Sequence, residues 1–193
     1  VKIITLEDPV EYKLEGIEQV QVDPEHGVDF PQALRGALRQ DPDILMVGEI
    51  RDKETAEIAL RAALTGHLVF TTLHANNAPA SLARLVEMGI APHLLAGSIN
   101  LIIAQRLVRK LCKMCHGKGC AECTGGYKGR TAIIEFIKPS PAIEKLVVER
   151  APIRSFVETA VQEGMTTMHE DGMRKVKEGI TNKEEVERVT EEE

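Results

Sequence analysis

Apolar positions along the chain follow two rhythms, and the switches between them set out the expected elements. Residues 1–6, Val-Lys-Ile-Ile-Thr-Leu, are rich in β-branched side chains, and residues 17–22 alternate apolar with polar; both read as strands, the second half exposed. Residues 44–47, Ile-Leu-Met-Val, form an uninterrupted apolar run between Asp41-Pro42-Asp43 and Gly48-Glu49. So short a run predicts a strand buried on both faces, as in parallel sheets covered by helices. Further strands are expected at residues 67–73, 104–111 and 131–137. Between the strands the period lengthens to that of a helix. Asp29 caps a helix over residues 30–39 with Pro31 in its first turn, and Asp41-Pro42 stops it. Asp52 caps a second over 53–64, with an apolar stripe of Ala56, Ala59, Leu60, Ala63 and Leu64, and Gly66 ends it. A third covers 79–88, and the apolar stretch 94–103 also reads as helical. Beyond Pro139 and Pro141 come short helices at about 142–149, 153–163, 168–178 and 183–190.

Strands alternating with helices predict an α/β fold with a mostly parallel sheet and right-handed crossovers, followed by a small helical subdomain. The 193 residues suffice for one sizeable core or a core with an appendix. The first residues already read as strand, without a preceding loop or cap, so further chain is expected upstream. No signal peptide is visible, and no apolar stretch approaches the roughly 20 residues that span a bilayer.

In a parallel sheet, consecutive strands end at one edge, the edge where open α/β sheets bind ligands. Three expected strand ends carry polar groups: Glu7, Asp8 and Glu11; Glu49, Arg51 and Asp52; His74 and Asn76. Carboxylates from two strands can hold Mg²⁺ through water and orient an attacking water, while a histidine or arginine meets phosphate charge. The segment around Glu49 alone leaves two readings open: a Walker B strand, or a buried strand whose following loop carries charge. Taken alone, His67 reads as a strand histidine with satisfied bonds, and Arg35, Arg39 and Arg61 as solvated helix faces.

Charge and cysteines add to this picture. The net charge of −6 gives the whole molecule no reason to seek polyanions, and the 3% aromatic content argues against a stacking platform for nucleic acid. Positive charge gathers locally in Arg106, Arg109, Lys110, Lys113, Lys118, Lys128 and Arg130, against Glu122, and the chain from Glu184 onward is mostly acidic. The basic stretch reads as a solvated surface or a face for phosphate, lipid headgroups or an acidic partner. All four cysteines lie in Cys112-x-x-Cys115 and Cys120-x-x-Cys123, spacings typical of a structural Zn²⁺ held by four thiolates in a reducing cytoplasm, with redox pairs and disulfides as the other readings. Glycines 117, 119, 125 and 126 suit the tight turns of such a knuckle, and His116 is a spare ligand.

Residues 4–12, Ile-Thr-Leu-Glu-Asp-Pro-Val-Glu-Tyr, resemble the Asp box of the type II secretion and type IV pilus assembly ATPases, the GspE/PilB family. Residues 38–52 resemble that family's Walker B box, and residues 66–76 its His box. The likeness continues through Ala104-Gln105-Arg106-Leu107-Val108-Arg109 and the tetracysteine element to the C-terminal helices. The resemblance implies a RecA-like ATPase domain over residues 1–111, a zinc knuckle over 112–130 and a C-terminal strand and helical subdomain over 131–193. It implies Glu49 as the glutamate that activates water, Glu7 as a group positioning Mg²⁺ or water, His74 facing the phosphates of ATP and His67 supporting the box. Asp8, Glu11 and Arg51 stand with them as nucleotide-site candidates, and Arg61 and Arg84 as possible phosphate or neighbour-subunit contacts. It further implies a homo-hexamer, cytoplasmic and peripheral at the inner membrane, working with a membrane platform protein. The tetracysteine element fits assembly or secretion motors rather than retraction motors, with a shorter loop between the cysteine pairs than many relatives have.

One family element is missing from these residues. The phosphate cradle Gly-x-x-x-x-Gly-Lys-Ser/Thr does not occur; Gly117-Lys118 has no glycine five residues before Gly117. In the family that loop lies upstream of the Asp box, so the chain is expected to be the C-terminal part of such a motor and inactive by itself. Two other readings remain: a related DNA-uptake or conjugation motor, and a non-catalytic zinc module that binds nucleic acid.

Overall fold

The computed structural model describes residues 1–190; Glu191, Glu192 and Glu193 of the acidic tail lie outside them. It divides into two units. The first comprises Val1–Ala75, Ser81–Asn100 and Pro139–Pro152; the second comprises Asn76–Ala80, Leu101–Lys138 and the chain from Ile153 onward.

The first unit is built on four parallel strands, β1 (Ile3–Glu7), β2 (Glu18–Gln21), β3 (Ile44–Val47) and β4 (Leu68–Thr71), in the order β2-β1-β3-β4. The register sets Leu6 beside Val47 and Val47 beside Thr71, so β1, β3 and β4 finish level with one another. Helices α1 (Phe30–Leu38) and α2 (Lys53–Leu64) pack together and against the strands. Both begin at an aspartate whose side chain takes a free backbone N–H: Asp29 accepts from Gln32 and Asp52 from Thr55, each at 2.8 Å. Phe30, Leu34 and Ala37 of α1 and Ala56, Ala59 and Leu60 of α2 are buried, as are Ile4, Leu6, Leu45 and Val47 of the sheet. Helices α3 (Ala78–Glu87), α4 (Pro92–Leu95) and α5 (Pro141–Glu149) follow in the chain, α4 and α5 lying against each other.

The stretch 94–103, expected to be helical, is so only at Leu94 and Leu95, where α4 ends. Pro92 starts α4, but Gly97 takes a left-handed φ of 82°, and the chain is extended from Ile102. Paired β-branched residues at 102 and 103 suit a strand better than a helix.

The second unit holds a long antiparallel ribbon of β5 (Ile102–Leu111) and β6 (Tyr127–Ile137), separate from the parallel sheet. Helices α7 (Met168–Lys177) and α8 (Lys183–Thr190) pack on it; α6 (Ile153–Gln162) precedes them. Val108, Ile133 and Met168 are buried together, with Ala104 and Val189 against them. Three carboxylates are buried with this core. Glu135 accepts the Ala78 and Met168 backbone N–H groups at 2.7 and 3.0 Å, so one side chain caps the start of two helices. Asp171 accepts from Ile134 N, Lys175 and Arg174. Glu185 accepts from Arg109 N, the Arg109 side chain and Arg188. Among the described residues no helix is long and apolar enough to cross a membrane.

Candidate functional site

The level ends of β1, β3 and β4 are tied to one another beyond the ladder. Gly48 N donates to Leu6 O at 2.7 Å, Thr72 Oγ1 donates to Gly48 O, and Ile50 N donates to Thr72 O at 3.0 Å. Gly48 has to be glycine for this closeness, because a Cβ there would stand 2.9 Å from Leu6 O. The backbone thus turns out of β3 against its neighbour and presents the next residue, Glu49.

Glu49 joins groups from two of the other strand ends. Its Oε1 forms an ion pair with Arg51, whose guanidinium also reaches Asp8 at 3.5 Å, and its Oε2 lies 3.2 Å from His74 Nε2. The Glu49 side chain is only 15% exposed while that of His74 is 92% exposed. A recessed carboxylate is therefore held under an open imidazole. The hydrogen bond from Arg51 comes first among the causes that hold Glu49 below the usual carboxylate range; burial opposes it and His74 adds to it. Glu49 is ionised at neutral pH, with oxygens able to orient a water and take its proton.

Glu7 ends β1, and its Oε1 accepts from Thr5 Oγ1 at 2.5 Å and Gln19 Nε2 at 2.9 Å. Asp8 and Glu11 are exposed in the loop that follows. The sequence-predicted residues are not all brought together. Glu49, Arg51, Asp8 and His74 form one connected group. His67 precedes β4, at the other end of that strand from His74, where its Nδ1 lies 3.0 Å from Ala62 O and 3.3 Å from Thr65 Oγ1. Thr5, Gln19 and Thr72 belong to the site and escaped sequence reasoning; polar residues inside strands at 5 and 19 were the only signal.

The cysteines form a second, separate centre. All four Sγ atoms lie within 4.8 Å of one another, with Cys112–Cys120 at 3.8 Å, Cys115–Cys123 at 3.7 Å and Cys120–Cys123 at 3.6 Å. A tetrahedron with arms of about 2.3 Å has edges of about 3.8 Å, so these sulfurs fit one metal ion. Gly119 N donates to Cys115 Sγ at 3.2 Å. Gly126, at φ 89°, passes so near Gly117 that a Cβ would meet Gly117 O at 2.2 Å. The Cys115 and Met114 N–H groups bring Cys112 down to about 7. Cys120 is pushed up to about 11: the Glu122 N–H favours its thiolate, but burial and the neighbouring sulfurs outweigh that. One thiolate forms readily here, and four need a cation among them.

Residues 1–188 match the sequence model of the family described as "Type II/IV secretion system protein". The chain belongs to this family. It is 47% identical over 217 aligned positions to the type IV pilus assembly ATPase PilB of Pseudomonas aeruginosa, and 45% identical over 219 to the type II secretion system protein E of Xanthomonas campestris. These alignments take in 98% and 99% of the chain but 38% and 39% of the relatives. Among solved structures, the pilus retraction motor PilT with bound ADP superposes with a TM-score of 0.77 at 35% identity, covering 97% of this chain and 52% of that one. The Legionella pneumophila ATPase DotB gives 0.74 at 27% identity, covering 100% and 52%. The family placement read from the three boxes stands, and so does the α/β fold with a parallel sheet.

Proposed function

We propose that this chain is the catalytic C-terminal portion of a motor ATPase that powers type IV pilus assembly or type II secretion. The observation that carries the reading is the connected group Asp8–Arg51–Glu49–His74 at the level ends of adjacent parallel strands. Glu49 takes the proton of the attacking water, and His74 meets the charge that develops on the phosphates. Arg51 holds Glu49 ionised and steady. Glu7, Asp8 and Glu11 supply carboxylate oxygens of the kind that Mg²⁺ takes through water, and the ion would neutralise charge on the phosphates of ATP. His67 keeps its supporting role by fixing the turn from α2 into β4. The phosphate-binding Gly-rich loop is supplied from outside these residues, so the 193-residue chain by itself neither binds ATP tightly nor turns it over.

The four cysteines hold structural Zn²⁺, which folds residues 112–130 into a small lobe where β5 passes into β6. The working motor is a cytoplasmic homo-hexamer, peripheral at the inner membrane, that passes domain movement to a platform protein. The basic stretch from Arg106 to Arg130 is the candidate face for that protein or for the membrane. The double variant K110E/K113E should lower binding to anionic vesicles or to the platform protein, and unchanged binding would remove that role.

The decisive test is a chimera in which this chain replaces the matching 38% of the Pseudomonas aeruginosa pilus ATPase. ATP turnover by the chimera is expected. A folded chimera that binds ATP without hydrolysing it would sink the proposal.

A further inference from the structure

Gln19 lies on β2 directly beside Thr5 in the parallel register, and Thr5 and Glu7 occupy alternate positions of β1, on one face of the sheet. Its amide is almost fully used. Nε2 donates to Glu7 Oε1 and to Tyr12 O, each at 2.9 Å, and Oε1 accepts from Leu14 N at 2.7 Å. Thr5 Oγ1, from a buried residue, donates to the same Glu7 oxygen. Both donors converge on Oε1, and among the described residues Glu7 Oε2 takes no hydrogen bond.

From this geometry we infer that Gln19 is a positioning residue for Glu7: it holds one carboxylate oxygen and leaves the other as the working one. Through the same amide it sets the path of the chain from Asp8 to Leu14. The inference rests on the motor-ATPase reading, in which Glu7 acts at the nucleotide. The residue type follows from the bonds made. Two donors and an acceptor are needed at the end of a two-methylene arm. Asparagine carries the same amide on an arm one methylene shorter. Glutamate would set an acceptor against both Glu7 Oε1 and Tyr12 O. The next side chain on that face, Gln21, supports the loop more loosely, its Oε1 lying 3.4 Å from Val10 N.

The test is a mutant cycle on ATP turnover in the chimera, using E7Q, Q19M and the isosteric Q19E. A misplaced catalytic group costs on the order of 10–100-fold in rate. Q19M is expected to lower kcat by about that much while KM for ATP changes less than about 3-fold. Because Gln19 acts through Glu7, E7Q/Q19M should be no slower than E7Q, whereas a structural role elsewhere would multiply the two losses. Should Q19M fail to fold, Q19E carries the same prediction, and amide exchange at Leu14 in the 193-residue chain reports the lost loop contact. Multiplying losses, or a Q19M chimera with wild-type kcat beside a slow E7Q, would overturn the role of Gln19 and leave the ATPase reading standing. An E7Q chimera with wild-type turnover would overturn the role of Glu7 and this inference with it.

Discussion

Replacing Glu185 by glutamine takes one negative charge from the second unit and keeps the side chain's shape. Glu185 is 2% exposed and accepts from Arg109 N at 3.0 Å, from the Arg109 side chain, and from Arg188 Nε and Nη2 at 3.0 Å each. Breaking a fully buried pair costs about 3–5 kcal/mol, but Arg109 and Arg188 are about half exposed and recover water when the charge goes. The substituted amide still offers an oxygen to Arg109 N. What is lost is the charge assistance, about 2 kcal/mol, or a fall in Tm of about 4–8 °C for a chain of this size. The sign with pH is fixed. Arg109 and then Arg188 hold the folded carboxyl far below its ordinary value of 4.5. Its contribution is therefore fully present above the unfolded value and is lost as pH falls toward the folded one. Thermal unfolding followed by circular dichroism should show the full gap between wild type and E185Q at pH 7. The gap should narrow steadily below about pH 4.5. Amide exchange at Arg109 assigns the loss to this site. Equal Tm values at pH 7, or a gap that stays constant down to pH 3, would refute the reasoning.

Three further outcomes are expected. Protein purified with zinc present should carry one Zn²⁺ per chain by elemental analysis, C115S should lose it, and chelation should lower Tm; mapped disulfides and no metal would contradict the assignment. G48A should destabilise the chain by about 1–3 kcal/mol in urea unfolding, since the new methyl would press on Leu6 O from 2.9 Å. E135Q keeps one acceptor but turns an amino group toward a second N–H, so exchange at Ala78 or Met168 should rise about 10-fold, the equivalent of about 1.4 kcal/mol. Unchanged exchange at both would show that the carboxylate is not what caps these helices.

Local chemistry made much of the first unit readable. The second helix was expected over residues 53–64 and spans Lys53–Leu64, because Asp52 and Gly66 mark both ends in the sequence itself. The strand ends of the site were legible for a related reason: short apolar runs stop abruptly at charged residues. What failed was tertiary. Residues 94–103 carry apolar side chains compatible with either rhythm, and only the left-handed Gly97 and the pairing of Ile102 with Ile137 decide against a helix. Glu135, Asp171 and Glu185 gave no signal in the sequence, since the backbone N–H groups that they serve lie 33 to 76 residues away. Gln19 showed only as a polar residue inside a strand, as its value depends on the parallel register that brings it beside Thr5.

The central claim is that Glu49 is the carboxylate that activates water, and ATP hydrolysis by the chimera with and without E49Q tests it most directly. A fall in kcat of at least about 100-fold with ATP binding retained is expected, as for a group acting in the chemical step. An E49Q chimera that binds ATP and turns it over at the wild-type rate would contradict it.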